Sequence, residues 1–380
     1  MKNKTVLITL AILLVAGVVA HAESYSTGNM SATISGEGLL EIRTPQNLRC
    51  DIKIRTHSSS SVEAKYRVWA HAKTTEQEDR FIKLIEVKLD KNYSRENTIR
   101  IRVLAPTTAP WEGMSYGVGV EMDVYVPEDF DIDTRSMYGQ VDVTGPLNRA
   151  KVDCEYGSVN VEHIDEETDI SSSYSNVSVS YLKGMITIDA KYSEIIIEDI
   201  EIEDGTGLFK STNGNVTLEN ITGPLEVITN QSNIQASNIK TDNGCLLLRT
   251  DYGNIDAEDL SGELVVETSY GNIEMKDIYL PYGISKFETK YSPIDVMIID
   301  IDDAQLLVNN TYSSINLNLP SDISAKLTLS VDEGGKIHTQ GLAIKPLTME
   351  SNRLVGIAGD GVAKIEANVD GIGDINIKGR

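Results

Sequence analysis

The sequence predicts an all-β protein, a single-chain parallel β-helix (β-solenoid) of about ten rungs of 18–21 residues. The first observation behind this prediction is a repeated pair of residues, in most copies a tyrosine followed by glycine or serine. The ten copies are Tyr138-Gly139, Tyr156-Gly157, Tyr174-Ser175, Tyr192-Ser193, Asn213-Gly214, Gln231-Ser232, Tyr252-Gly253, Tyr270-Gly271, Tyr291-Ser292 and Tyr312-Ser313. The steps between copies are 18, 18, 18, 21, 18, 21, 18, 21 and 21 residues. Such nearly constant spacing is typical of solenoids, in which stacked units bury the apolar face that one unit cannot bury alone.

The second observation is an alternation of apolar and polar residues on both sides of each pair, which is the period of a half-buried strand. Counting from the tyrosine as position zero, positions −4, +3, +5 and +8 are mostly apolar and position −2 is always small. In the second copy these are Val152, Val159, Val161, Ile164 and Cys154. We therefore expect two short strands per rung, with these positions inside and a tight corner at the glycine or serine. Ten rungs spaced by ~4.8 Å make a rod of ~45–50 Å.

Residues 1–22 have the pattern of a secretory signal peptide. Lys2 and Lys4 precede an uncharged apolar run of about 14 residues, and Ala20-His21-Ala22 is a small-x-small cleavage pattern. The run is short for a membrane-spanning helix, and no cysteine follows Ala22 to carry a lipid. We predict an exported protein, periplasmic, on the cell surface or extracellular, with no membrane insertion after signal cleavage. A retained N-terminal anchor is the alternative.

Residues 23–130 are predicted to form a β-rich segment that caps one end of the solenoid. A small sandwich packed against that end is one form of such a cap. Alternating patterns predict strands at 40–43, 50–54, 62–68, 99–103 and 118–126. Residues 75–87 predict a helix, capped by Thr74 or Thr75 and with Phe81, Leu84 and Ile85 on one face. A cap is needed because an open terminal rung exposes unpaired backbone groups.

The solenoid repeats are predicted to occupy residues 131–320, and residues 321–380 are predicted to supply degraded rungs at the other end. The segments 327–337 and 372–377 keep the alternation but lack the tyrosine. Atypical terminal repeats are the usual caps of repeat folds.

The chain is strongly acidic, with 57 acidic and 34 basic residues and a net charge of −23. This balance argues against nucleic acid as a partner and against an anionic membrane surface, because phosphates attract basic patches. The three cysteines, Cys50, Cys154 and Cys245, are an odd number and do not indicate a disulfide framework. Cys154 and Cys245 are five repeat steps apart, ~24 Å, which is beyond disulfide reach.

The ladder of Tyr/Asn-Gly/Ser-x-Val/Ile-x-Val units behind a signal peptide resembles the DUF4097 family of bacterial and archaeal envelope proteins, whose members carry an adhesin label. It is also similar to the related GIN-domain adhesin-like proteins. The resemblance covers roughly residues 30–380 and is strongest over 132–320. It implies a single-chain β-helix in the cell envelope, and it brings no catalytic motif.

The feature most suggestive of a site is the column of tyrosines at position zero. Its members are Tyr138, Tyr156, Tyr174, Tyr192, Tyr252, Tyr270, Tyr291 and Tyr312. Rings spaced by ~4.8 Å would stack on one another and stabilise the rod. Their parity matches the inward positions −2 and −4, which favours a structural ladder. Rings presented in register would also stack against sugars or a partner protein, so a binding ladder is the alternative.

The sequence predicts no catalytic, cofactor-binding or metal site. No nucleophile elbow, phosphate loop or dinucleotide fingerprint is present, and the histidines of the mature chain are scattered. Acidic pairs at positions +6 and +7, such as Glu198-Asp199 and Glu258-Asp259, predict a stripe along the rod. A solvated face is expected there. Bound Ca²⁺ is the alternative, although the calcium-binding nonapeptide of β-rolls is missing.

These observations together predict a non-enzymatic, exported envelope or surface protein, adhesin-like or a scaffold, that acts through the lateral faces of its solenoid. One alternative is a carbohydrate-active or glycan-binding β-helix protein. Another is a partner that senses envelope state for a membrane protein. The binding partner expected for the lateral faces is a glycan or another envelope protein.

Overall fold

The computed structural model describes residues 24–34, 36–91, 97–111, 117–203, 205–332 and 334–380. The described residues are almost entirely β-structure, with 27 strands joined in one hydrogen-bonded sheet system and one helix. The predicted signal peptide lies outside them. Within the described ranges, none of the helical structure is long and apolar enough to span a membrane.

The first part of the chain contains seven strands and a helix. They are β1 (Ser24–Thr33), β2 (Leu39–Arg43), β3 (Arg49–His57), β4 (Ser61–His71), α1 (Thr75–Ile82), β5 (Glu86–Lys91), β6 (Thr98–Leu104) and β7 (Gly117–Pro127). Helix α1 begins at the predicted cap, since the Thr74 hydroxyl accepts a hydrogen bond from the Gln77 amide at 3.3 Å. It ends earlier than the sequence predicts, because Val87 enters β5 and pairs with Val103 of β6.

The repeats follow as a long series of strands, some of which continue around corners without a break. They are β8 (Asp131–Ser173), β9 (Ser175–Lys183), β10 (Met185–Lys191), β11 (Ile195–Glu201), β12 (Gly207–Ser211), β13 (Val216–Thr222), β14 (Leu225–Thr229), β15 (Ile234–Arg249), β16 (Ile255–Glu267), β17 (Ile273–Leu280), β18 (Ile284–Thr289), β19 (Ile294–Ile301), β20 (Gln305–Asn310) and β21 (Ile315–Leu319). The last part of the chain adds β22 (Ala325–Val331), β23 (Ile337–Gln340), β24 (Ile344–Met349), β25 (Arg353–Ala358), β26 (Ala363–Val369) and β27 (Ile375–Gly379).

Each rung places one strand before the tyrosine corner and one after it, and both pair in parallel with their neighbours. After the corner, Ile195 lies between Val177 and Val216. The same register continues to the pair Ile294 and Ile315. Neighbouring partners differ by 18 or 21 residues in the order read from the sequence. The predicted parallel β-solenoid is therefore confirmed.

The predicted interior columns form one continuous core. All ten residues at positions −4, −2, +3 and +5 are buried. Position +8 is buried in seven rungs, but Pro146 and Ile299 are exposed and Pro320 is half-buried. In those rungs the neighbours Leu147, Ile298 and Leu319 are buried instead, so the prediction for position +8 is wrong there.

The difference has a backbone cause at position +7. In the seven regular rungs this residue has a left-handed φ of 50–59°, which shifts the alternation by one residue and turns position +8 inward. Those residues are His163, Tyr181, Asp199, Asn220, Asn238, Asp259 and Asp277. A β-branched residue avoids this conformation. Ile298, at position +7, therefore stays extended, and its side chain is buried in place of that of Ile299 at position +8.

Both ends of the rod are built out of chain order. Near the N-terminus, β2 pairs in parallel with both β6 and β8, and β3 with both β7 and β8. The rung β2–β3 therefore lies inside the rung β6–β7. Antiparallel strands then extend the sheets beyond the outer rung. Strand β5 pairs with β6, strand β4 pairs with β7, and β1 pairs with β4. Parallel rungs thus reach into the N-terminal segment, and its strands join the sheets of the solenoid instead of packing as a separate sandwich.

The C-terminal end has the same arrangement in reverse. Strand β26 lies between β20 and β22, and β27 lies between β21 and β23. Strands β25 and β24 continue antiparallel from β22. The two segments interpreted as degraded rungs are both rungs, but the later one in the chain is the inner one in space.

Candidate functional site: an exposed tyrosine edge

The tyrosine corner is held by the small polar residue at position −2. The Thr268 hydroxyl donates to the Gly253 carbonyl at 3.1 Å and accepts from the Gly271 amide at 3.2 Å. In an earlier rung the Ser172 hydroxyl donates to the Ser175 carbonyl at 3.1 Å. The sequence shows that this column is small, and the structure shows why it is also mostly hydroxylated: buried corner backbone groups need partners.

The corner is built in more than one way. A Cβ on Gly271 would lie 1.7 Å from the Gly253 carbonyl oxygen, so glycine is required there by close approach of the neighbouring rung. In two of the rungs where serine follows, the tyrosine itself takes the left-handed conformation, with φ of 57° at Tyr174 and 54° at Tyr192. Both arrangements direct the tyrosine side chain outward.

The eight tyrosines form an exposed edge along the rod, between 38% and 58% accessible. Their parity matches the inward positions −2 and −4, but the structure places the rings outward. Parity holds along a straight strand, and the corner between positions −2 and +1 interrupts it.

The rings stack on one another in two groups of four. In the first group the centroids are 5.1, 5.2 and 4.9 Å apart, and in the second 5.0, 4.9 and 5.3 Å. We call these groups the first stack (Tyr138, Tyr156, Tyr174, Tyr192) and the second stack (Tyr252, Tyr270, Tyr291, Tyr312). Between them, Asn213 donates through Nδ2 to Gln231 Oε1 at 2.8 Å. The whole column, including this amide pair, is the tyrosine edge.

The stacks leave their hydroxyls and outer ring faces to solvent. In the described part of the chain, no protein group hydrogen-bonds to any of the eight phenol oxygens. Each inner ring is covered by a neighbour on both sides, so ring faces are open only at the ends of a stack. One such end, at Tyr138, lines an open groove of about 620 Å³ with Leu48, Arg49 and Gln140.

A second column, which sequence reasoning missed, runs beside the tyrosine edge at position +2. Asn233 Oδ1 accepts from the backbone amide of Asn254 at 2.9 Å, and Asn254 Oδ1 accepts from the backbone amide of Asn272 at 2.9 Å. Asn215 Oδ1 accepts from the backbone amide of Asn233 at 3.3 Å. Because each side-chain carbonyl oxygen is hydrogen-bonded to the next rung, each Nδ2 group is directed to solvent. The recurrence of asparagine directly after the pair was the available signal.

The acidic stripe at positions +6 and +7 stacks as its spacing indicates. Glu198 is the register partner of Glu219, and Asn220 Nδ2 donates to Asp199 Oδ1 at 3.0 Å. At the same corner His163 stacks on Tyr181, with centroids 4.9 Å apart. Among the described residues, no group of three or more His, Cys, Asp or Glu is placed to hold a metal ion.

The three cysteines carry free thiols. Cys50 and Cys154 are buried, and burial raises the pKa of both thiols above the ordinary value. Burial, followed by the charge of Glu263, raises the pKa of Cys245 to about 11. All three thiols therefore stay protonated and unreactive at neutral pH.

Comparisons with known proteins agree with this architecture. The sequence profile of the Toastrack DUF4097 family matches residues 20–286, the larger part of the chain, which confirms the resemblance drawn from the repeat. A search of curated proteins finds no match.

Solved structures similar to the chain include a candidate cell adhesion protein from Clostridium sporogenes, at 9% identity and a TM-score of 0.19, covering 94% of this chain and 100% of the other. A candidate adhesin from Bacteroides fragilis matches at 9% identity and a TM-score of 0.22, over 93% of this chain and 97% of that one. A candidate adhesin from Parabacteroides distasonis matches at 9% identity and 0.20, with the same coverage. At such low TM-scores, the fold rests on the rung registers described above.

Proposed function

The chain belongs to the Toastrack DUF4097 family, and from this premise we propose that it is an exported, non-enzymatic envelope or surface protein. It holds another surface component against its tyrosine edge, in the manner of an adhesin or scaffold. The predicted signal peptide supports export to the periplasm, the cell surface or the extracellular space.

One observation carries the proposal: the tyrosine rings are exposed although the corner does not need them. The backbone of the corner is held by position −2 and by glycine, as at Thr268 and Gly271. The rings add only contacts with one another. Exposed aromatic side chains with free hydroxyls are the residue type that protein and ligand interfaces favour. Two stacks on one edge offer such contacts along most of the rod.

The non-enzymatic part of the proposal rests on the sequence. It contains no nucleophile, acid–base or cofactor motif, and the rung pattern continues through all ten repeats without a break that would gather reactive groups on one face. A polysaccharide-degradation screen on purified residues 23–380 tests this directly. Release of sugar products above the buffer control would reject it.

Binding is tested by cosedimentation of purified residues 23–380 with intact cells and isolated envelopes. We compare the wild type with a variant carrying serine at Tyr252, Tyr270, Tyr291 and Tyr312. Tyr181→Ser is the matched control, because Tyr181 is 54% exposed but lies at a different corner. We expect loss of cosedimentation only in the variant of the second stack, with retained β circular dichroism. Equal binding by all three proteins would contradict the proposal.

A further inference from the structure

The interruption of the tyrosine edge has the geometry of a small binding notch. Tyr192 and Tyr252 face each other across two rungs in which position zero is Asn213 and Gln231. Three rung steps separate the two rings, ~14 Å. They are the most exposed of the eight ladder tyrosines, at 57% and 58%, and each has a ring neighbour on only one side. The shorter amide side chains between them leave the two ring faces open toward each other.

The floor and sides of the notch are polar but uncharged. Asn213 and Gln231 form the floor through their 2.8 Å hydrogen bond. The residues at positions −1 and +2 of the same two rungs are all exposed; they are Thr212, Asn230, Asn215 and Asn233. At positions −1 to +2, charged residues occur only in the flanking rungs, for example Lys191, Glu194 and Asp251. In a chain with 24% charged residues, six adjacent uncharged polar positions indicate an uncharged polar ligand.

Side-chain amides of the notch have N–H donors that make no hydrogen bond to the described protein. Asn215 and Asn233 use their carbonyl oxygens to accept from the next rung, which directs each Nδ2 outward. Gln231 accepts through Oε1, which leaves its Nε2 as a donor. Within the described residues, none of these three amide nitrogens donates to a protein group. They supply oriented donors along a surface walled by two aromatic faces.

We propose that this notch binds a neutral, β-linked oligosaccharide that crosses the rod. Because the ladder rings stack along the rod, the open faces of Tyr192 and Tyr252 point along its axis. Sugar rings that lie parallel to these faces pack their apolar C–H groups against Tyr192 and Tyr252, and sugar hydroxyls accept from the side-chain amides of Asn215, Asn233 and Gln231. An extended β-linked glycan is a flat ribbon whose sugar rings present such C–H faces. The acidic surface of the rod disfavours anionic glycans. This inference deepens the proposed function and rests on it.

The chain offers a variant that closes the notch without disturbing the fold. Asn213 and Gln231 are followed by Gly214 and Ser232, the residues that follow tyrosine elsewhere in the column. The double substitution Asn213→Tyr and Gln231→Tyr therefore completes a continuous stack of ten rings. We expect a melting temperature equal to or above that of the wild type, because new ring contacts form.

The test is isothermal titration calorimetry with cellohexaose, chitohexaose, maltohexaose and an oligogalacturonide. We expect the wild type to bind at least one of the two β-linked neutral hexasaccharides and not the anionic one. The notch-closing variant and Tyr252→Ala should each bind roughly tenfold more weakly or not at all, whereas Tyr252→Phe, which keeps the ring face, should bind as the wild type does.

Absence of neutral-sugar binding by the wild type at millimolar concentration would overturn the inference, and so would unchanged binding by the notch-closing variant. Cosedimentation with cells separates this outcome from failure of the proposed function. If the notch-closing variant still sediments with cells and the variant of the second stack does not, the notch is wrong but the tyrosine edge remains a binding surface.

Discussion

At the scale of single residues, the tyrosines of the edge differ in how many ring neighbours they have. Tyr270 stacks on Tyr252 and Tyr291, with centroids 5.0 and 4.9 Å away. Tyr252 stacks only on Tyr270. Both are followed by a glycine in the same kind of corner, so they form a matched pair that isolates stacking from backbone effects.

We expect Tyr270→Ala to lower the free energy of unfolding about twice as much as Tyr252→Ala. One aromatic contact is worth about 0.5–1.5 kcal/mol, so the expected losses are about 1–3 and 0.5–1.5 kcal/mol. Urea unfolding followed by circular dichroism measures both. Equal losses would show that the rings do not stabilise the rod through stacking.

Two carboxylates on neighbouring rungs have pKa values displaced in opposite directions. Burial opposes ionisation of Glu267, but hydrogen bonds from Lys286 and Arg249 outweigh it and lower its pKa below the ordinary 4.5. Burial, followed by the charge of Glu274, raises the pKa of Asp256 above the ordinary 3.8. Glu267 therefore adds stability above pH 4.5 that is lost as the pH falls through its folded pKa. Asp256 costs stability as the pH rises through its folded pKa.

Substitutions at these two positions should consequently have opposite signs at neutral pH. We expect Glu267→Gln to lower the urea midpoint at pH 7 and Asp256→Asn to raise it. Both differences from the wild type should be smaller at pH 3 than at pH 7, because protonation of the carboxyls reduces them. Midpoints at the two pH values test this, and a pH-independent difference would rule out titration as the cause.

At the scale of the element, the corner at position +7 determines where the interior strand ends. Its left-handed residue shifts the alternation by one and places position +8 in the core. Asp259 is one of these residues, with φ of 54°, and it lies between the buried Ala257 and Leu260. Short polar residues tolerate this conformation better than branched ones, but glycine tolerates it best.

We therefore expect Asp259→Gly to raise the free energy of unfolding by about 0.5–1 kcal/mol, since relief of the left-handed strain exceeds the entropy cost of glycine. The control is Ser261→Gly, two residues later in extended strand β16, which should lower it by about 0.5–1 kcal/mol. Thermal and urea unfolding of both variants decide the point. Destabilisation of the same size by both would mean that no strain is stored at the corner.

At the scale of the whole molecule, the ends of the rod are held by rungs inserted out of chain order. Strands β26 and β27 separate the last repeat from β22 and β23. The outer C-terminal rung therefore depends on a segment that follows it in the chain. The reverse relation holds at the other end, where β2 and β3, which precede β6 and β7 in the chain, separate them from β8.

Deletion of residues 362–380 should consequently unfold strands that precede the deletion. Without β26, strand β22 would be separated from β20 by two strand spacings, ~9.6 Å, which is too far for backbone hydrogen bonds. We expect hydrogen exchange to show loss of amide protection throughout β22, β24 and β25 but not in β15 or β16. Deletion of residues 321–380 is the control and should leave the same central protection. Retained protection of β22 would contradict the inserted arrangement.

The rung length, the register of neighbouring rungs and four of the interior columns can be predicted from the sequence alone. These follow from local alternation and from the fixed spacing between copies, as in the series from Val177 to Ile315. The sequence also predicted that the tyrosines lie in register. The tertiary structure alone decided that they face outward, because the corner between positions −2 and +1 breaks the parity counted along the strand.

The tertiary structure also decided the order of the end rungs and the existence of the notch between Tyr192 and Tyr252. Inserted rungs depend on pairing between distant segments, such as Ile315 with Ile375, which no local pattern encodes. The notch depends on the outward orientation of the column, so that Asn213 and Gln231 become a gap between ring faces and not two polar residues in a core. Local periodicity determined the rod, and the geometry of its corners decided which side chains it presents.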